Sequence, residues 1–218
     1  MIIFDCNGVL VDSEPIAATV AAEEFQRAGI NVTPEIVARF FAGRRPADMF
    51  ADIEAATGRK LPVNFASVLK TATLERFRTE LRATAHVAHA LTWLRGPKCV
   101  ASSSPIDRIR VSLEATDLIR FFEPNLFSAS EVPSGKPAPD LLFYAARRMG
   151  VQPQDCFVVE DSPAGVAAAA AAGMTPIGFV GGSHAVVNLG SLLTYAGARA
   201  VIADMRALKA TIVTLRGW

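Results

Sequence analysis

The sequence predicts an α/β fold, a doubly wound parallel sheet with a small all-helical domain inserted after its first strand. Three observations carry this. Short apolar runs of strand type recur along the 218 residues, and helical patterns separate the later ones. Between the first run and the next, roughly ninety residues show helix periodicity and no convincing strand. Strand alternating with helix means right-handed crossovers and a mostly parallel sheet covered on both faces.

Taken in order, Ile2–Phe4 is the first strand. Ile16–Ala28 then carries apolar residues on one face and stops at Gly29, a natural helix end. Pro34–Phe41, Pro46–Thr57 and Asn64–Leu81 read as further helices, separated by Gly43 and by Gly58-Arg59-Lys60. Residues 14–82 are therefore expected to form a helical cap over the sheet's carboxyl edge, hinged at Ser13-Glu14-Pro15 and about Leu81–Ala85. Residues 1–13 and 83–218 supply a Rossmann-like core. Its remaining strands are Cys99–Ala101, Leu126–Ser128, Cys156–Val159, Pro176–Val180 and Ala200–Ile202, with helices such as Pro105–Ala115 and Pro139–Met149 between them. Strands buried on both faces should be apolar throughout, and CFVV and PIGFV are.

Charge excludes some functions. Twenty-two basic against 21 acidic residues leave a net charge of +1, with no basic run to hold nucleic acid. Mean hydropathy is +0.30. The most membrane-like stretch, Pro163–Val180, is broken by Gly173, Pro176 and Gly178 and reads as a buried helix entering a buried strand. No membrane partner is expected. An acid at position 5 and the lack of a basic n-region argue against a signal peptide. Cys6, Cys99 and Cys156 are odd in number and lie in or beside strand-like runs, as reduced, packed thiols of a cytoplasmic protein do. His86, His89 and His184 make no metal-ligand set; the first two read as a solvated helix face, and His184 as structural.

In an open parallel sheet, ligands bind outside the carboxyl ends of the strands. Asp5, Asn7 and Gly8 follow the first strand, and Ser102, Ser103 and Ser104 follow the second. Ser134-Gly135-Lys136-Pro137 comes shortly after the third, and Glu160, Asp161 and Ser162 after the fourth. Each has a plainer reading alone: a cap for Asp5, Asp161 or Ser162, a loop for the serines, a surface site for Lys136. Together they bring acids, hydroxyls and one Lys to a single edge. Glu160 and Asp161 beside Asp5 would repel strongly without a cation, so a hard, oxygen-ligated ion is their natural partner.

Four stretches in this order, FDCNGVLVDSE, VASSSP, GKPAPD and VVEDSPAGVAAAAAAGM, resemble the haloacid dehalogenase-like hydrolase superfamily. The likeness is greatest to its helical-cap branch of sugar-phosphate phosphatases and β-phosphoglucomutase. That resemblance implies a nucleophile at Asp5, forming an aspartyl-phosphate. It implies a phosphoryl grip from the Ser102 hydroxyl and the Ser103 N–H at a helix start, and charge neutralisation by Lys136. It implies Mg²⁺ on Asp5, the Asn7 carbonyl and Asp161, with Glu160 assisting directly or through water. The loop with Gly43, Arg44 and Arg45 would read the non-reacting part of the substrate, with Lys70 and Arg76 as weaker candidates. The implied activity is Mg²⁺-dependent hydrolysis of small phosphomonoesters, sugar phosphates above all, by a monomer or weak homodimer. A phosphosugar mutase and a non-catalytic sugar-phosphate binder are the alternatives.

Two positions depart from the pattern. The family places an acid/base Asp two residues after the nucleophile, and this chain has Asn7, which cannot exchange a proton at neutral pH. With the neighbouring motifs intact, a recent or engineered loss is the consistent reading. At the return from the cap, many relatives have a Pro-Gly turn where this chain has Ala85-His86.

Overall fold

The computed structural model describes residues 1–41 and 46–217. Gly43, Arg44 and Arg45, expected to read the substrate, lie outside the described residues. The chain divides into two compact units, Ser13–Leu81 and the pairing of Met1–Asp12 with the chain from Arg82 onward.

In the larger unit a six-stranded parallel sheet has the order β3-β2-β1-β4-β5-β6. The strands are β1 (Ile2–Phe4), β2 (Lys98–Ser102), β3 (Leu126–Ser128), β4 (Phe157–Glu160), β5 (Thr175–Phe179) and β6 (Ala200–Ile202). β1 lies at the centre, with Ile3 opposite Cys99 on one side and Val158 on the other. Because side chains alternate across a strand, Ile3 and Phe4 enter opposite layers. Ile3, Cys99, Ala101 and Val158 share one buried cluster with Leu141, Leu142 and Ala145 of α7 (Asp140–Arg148) and Ala168 and Ala169 of α8 (Pro163–Ala171). On the other side Phe4 meets Phe122 edge to face at 5.7 Å. The small Ala168 and Ala169 allow α8 to approach the sheet closely, while Ala164, Ala170 and Ala171 are exposed. Among the described residues no helix is long and apolar enough to cross a membrane.

The remaining helices of this unit are α5 (Val87–Trp93), α6 (Ile106–Ala115), α9 (Leu189–Tyr195) and α10 (Leu208–Arg216). His86 starts α5 in the left-handed conformation, at φ 63°. That conformation costs a non-glycine residue roughly 1–2 kcal/mol. Just before it, the chain is held by Thr84 N–H donating to Leu10 O (2.9 Å) and Asp12 N–H donating to Arg82 O (3.0 Å).

The smaller unit holds α1 (Glu14–Arg27), α2 (Pro34–Phe41), α3 (Pro46–Thr57) and α4 (Phe65–Glu80). Pro15 sits at the start of α1, Arg27 in its last turn, and Gly29 follows at φ 79°. Phe25, fully buried, stacks on Phe65 at 4.9 Å, while Phe50 meets Phe65 edge-on at 5.2 Å. Such pairs contribute about 0.5–1.5 kcal/mol each beyond their buried area. Arg76, a candidate for substrate contact, is held instead by Glu23 (2.8 Å) and Glu80 (3.0 Å) of its own unit. Lys70 is exposed.

All three cysteines are buried. Burial raises the Cys99 thiol far above its usual range, with Cys156 adding and the N-terminal ammonium opposing. Cys156 is raised chiefly by burial as well. Since the thiolate is the reactive form, native protein should resist aromatic-disulfide reagents, and all three thiols should titrate once the chain is unfolded. Rapid release of even one thiol equivalent from native protein would contradict this burial.

Candidate active site

The strand order reverses between β1 and β4, where a doubly wound sheet opens its ligand crevice. Asp5 follows β1 directly, and its N–H donates to Val159 O at 3.0 Å, continuing the ladder. Its carboxylate therefore emerges at that crevice. Lys136 reaches the same point from the loop after β3. Its Nζ donates to Asp5 Oδ1 (2.6 Å), Glu160 Oε1 (2.5 Å) and Ala101 O (2.9 Å). An ammonium has three N–H groups, and all three are used.

Glu160, at the end of β4, is 1% exposed. While Oε1 meets Lys136, Oε2 accepts from Ser162 Oγ (2.9 Å) and N–H (3.3 Å). Ser162 in turn caps α8, its Oγ accepting from Gly165 N–H at 3.0 Å. A Cβ on Gly165 would fall 1.9 Å from Glu160 Cδ, so only glycine lets the carboxylate sit against the helix start. Both Glu160 oxygens are thus engaged by the protein.

Asp161 lies against the loop after β1. A Cβ on Gly8, which is at φ 70°, would stand 1.9 Å from Asp161 Oδ2, so the carboxylate presses on bare backbone. His184 Nε2 is 3.0 Å from that same oxygen. Burial first, and then the charges of Glu160 and Asp161, lift the Asp5 carboxyl to about 8 against the opposing pull of Lys136. Burial would lower the Lys136 ammonium, but Asp5 and Glu160 outweigh it and hold the group above its usual range. Three carboxyl groups thus crowd around one ammonium.

Asn7 Nδ2 donates to Ser104 Oγ at 2.9 Å, while Asn7 Oδ1 is buried without a hydrogen-bond partner. Ser104 is positioned by Ser128 Oγ, which donates to its carbonyl at 2.8 Å, and by its own N–H, which donates to Ser102 Oγ at 3.3 Å. Ser102 ends β2 and is 1% exposed. Ser103 is exposed, and the expectation that its N–H opens a helix is corrected. α6 begins at Ile106 because Pro105 takes the extended conformation (φ −58°, ψ 151°) and becomes the cap, which leaves Ser103 before the cap and outside the helix. So Asp5, Asn7, Ser102, Lys136, Glu160 and Asp161 gather at one edge, with Ser104 and His184 among them.

The haloacid dehalogenase-like hydrolase family model matches residues 1–173. The chain belongs to that family. The 6-phosphogluconate phosphatase of Escherichia coli K12 is 32% identical over 84% of this hydrolase and 83% of its own length. A conserved haloacid dehalogenase-like protein of unknown function from Agrobacterium tumefaciens C58 superposes with a TM-score of 0.86 at 35% identity, covering 99% of this chain and 98% of that one. A family hydrolase from Deinococcus radiodurans R1, solved with bound phosphate and sodium, does so at 0.81 and 30%, covering 97% and 93%.

Two residues of this edge of the hydrolase were not assigned a role from sequence. Ser104 was one of three serines with nothing to single it out. His184 sits in a Gly-Gly-Ser-His loop that has no periodicity, and only folding brings it to Asp161.

Proposed function

We propose that this hydrolase is a Mg²⁺-dependent phosphatase of small phosphorylated sugars or sugar acids, slowed by Asn7. The buried Asp5–Lys136–Glu160 constellation carries the reading. A carboxylate at the crevice, aligned and neutralised by a fixed ammonium, suits in-line attack on phosphorus. The Asp5 oxygen–phosphorus bond forms as the phosphorus–sugar oxygen bond breaks. The departing oxygen then needs a proton, and the water that later frees Asp5 must lose one. Asn7 can donate a hydrogen bond to the first but can relay neither proton.

The crowding of Asp5, Glu160 and Asp161 around one ammonium fits a divalent cation, and so does the close seat of Asp161 on Gly8. Asp5, Asp161 and the Asn7 carbonyl would hold it, while Glu160, fully engaged elsewhere, would act through Lys136. Bound there, Mg²⁺ supplies electrostatic stabilisation of the transferring phosphoryl group. The residues from Ser13 to Leu81 would serve as the cap, with Arg44 and Arg45 gripping a substrate carboxylate or hydroxyls. The activity named for the Escherichia coli relative makes a phosphorylated sugar acid the first substrate to try.

Calorimetric titration with inorganic phosphate tests the site without requiring turnover. Binding is expected with Mg²⁺ and should vanish with chelator; equal affinity in both conditions, or none in either, would overturn the metal-dependent reading. A non-catalytic binder is the second reading, favoured by the same Asn7 amide, and the Asn7→Asp experiment below separates the two.

A further inference from the structure

We infer that His184 is a positioning residue for Asp161, an inference that rests on the metal-dependent reading above. The loop after β5 is fixed independently of that contact. Ser183 donates from its N–H (3.1 Å) and its Oγ (2.8 Å) to Asp12 Oδ1, tying the loop to the segment that follows β1. The next residue, His184, brings Nε2 to 3.0 Å from Asp161 Oδ2.

Two glycines make the slot for the ring. A Cβ on Gly182 would stand 2.7 Å from His184 Cε1 and 2.9 Å from Gly8 O. One on Gly8 would stand 2.6 Å from the same ring carbon. The imidazole therefore lies between two stretches of bare backbone with little room to turn. With Nε2 3.0 Å from Oδ2, the ring engages one oxygen of Asp161 and leaves the other oxygen for the cation. A carboxylate ligand needs such a partner to hold its orientation, because a freely rotating one would spend binding energy on ordering. Asp161 has His184 for this purpose.

The experiment is a calorimetric Mg²⁺ titration of the full chain and of His184→Ala, His184→Phe and His184→Gln, with circular dichroism to check folding. Removing the donor should weaken Mg²⁺ binding about 10–100-fold in the Ala and Phe variants. Gln, which keeps an N–H at similar reach, should recover most of it. Unchanged affinity in Ala and Phe overturns the inference, as does recovery by Phe but not Gln, the pattern of mere packing. Should the Ala variant fail to fold, the Phe and Gln pair still decides. If the parent chain takes up no Mg²⁺, the metal reading fails and the inference with it. Parent binding that is unaffected by His184→Phe removes the inference alone.

Discussion

Asn7→Asp is expected to raise Mg²⁺-dependent phosphate release by about 10²–10⁴-fold, the usual worth of a positioned acid/base group. The substitution hardly changes shape, so binding geometry should persist. Ser104 Oγ now accepts from the Asn7 amide at 2.9 Å; facing a carboxylate, the same hydroxyl rotates and donates. The buried Asn7 Oδ1, which has no hydrogen-bond partner, becomes one of two equivalent oxygens able to take a proton. The gain should appear in kcat far more than in KM, because proton transfer belongs to the transition state. Phosphate release from a panel of sugar phosphates and sugar-acid phosphates, with and without Mg²⁺, measures it. A variant that binds phosphate with Mg²⁺ but turns over nothing on the panel would establish the binder reading and end the phosphatase one. A product carrying its phosphate at a new position, in excess of free phosphate, would instead mark a mutase.

The same substitution adds a fourth carboxyl group to an edge where Asp5, Glu160 and Asp161 already outnumber Lys136. Without metal, the variant should therefore be the less stable protein, and Mg²⁺ should stabilise it more than it does the parent. Like charges at close range resist common ionisation, and a divalent cation relieves that resistance. The neutral amide of Asn7 avoids the conflict, at the cost of the proton relay.

Strand ends were the legible part of this site. Ile2–Phe4 is an unbroken apolar run halted by an acid, so β1 and the placement of Asp5 follow from sequence alone. Lys136 and Asp5 are 131 residues apart, yet the rule that ligands meet at carboxyl strand ends brings them together, and they lie 2.6 Å apart. Short helices were less legible. α9 has seven residues and buries only Leu189 and Leu193, too few for a period to show. The use of Glu160 was hidden as well, because it depends on a rotamer and on Gly165 lacking a side chain. His184 depends on hydrogen bonds between Ser183 and Asp12, 171 residues apart, to which no local pattern points.

Lys136→Met should cost the metal-free protein about 3–5 kcal/mol of unfolding free energy, the usual penalty for leaving buried charge without its partner. Met matches the length of the Lys stem, so the loss is one of charge and hydrogen bonds rather than of volume. The side chain it replaces is 5% exposed and bonded to two carboxylates that are themselves nearly enclosed. The pH dependence gives the cause away. Asp5 is already raised to about 8 by burial, Glu160 and Asp161 while Lys136 opposes them; without Lys136 that opposition is gone and the carboxyl rises further. A carboxyl whose folded pKa exceeds its unfolded value favours the folded state when protonated, so its stabilisation is complete below the unfolded value and is lost as pH rises through the folded one. The deficit of the variant against the parent should therefore stay level from about pH 4 to pH 8, where the folded Asp5 carboxyl is protonated in both proteins, and widen above pH 8, where it ionises in the parent first. Urea unfolding of both proteins across that range measures the gap. A gap that stays constant with pH would mean that Lys136 stabilises by packing and not as the counter-charge. Added Mg²⁺ should restore only part of the loss, since a cation on Asp5 and Asp161 leaves Glu160, with one oxygen on Ser162, still facing the methyl group of the substituted side chain.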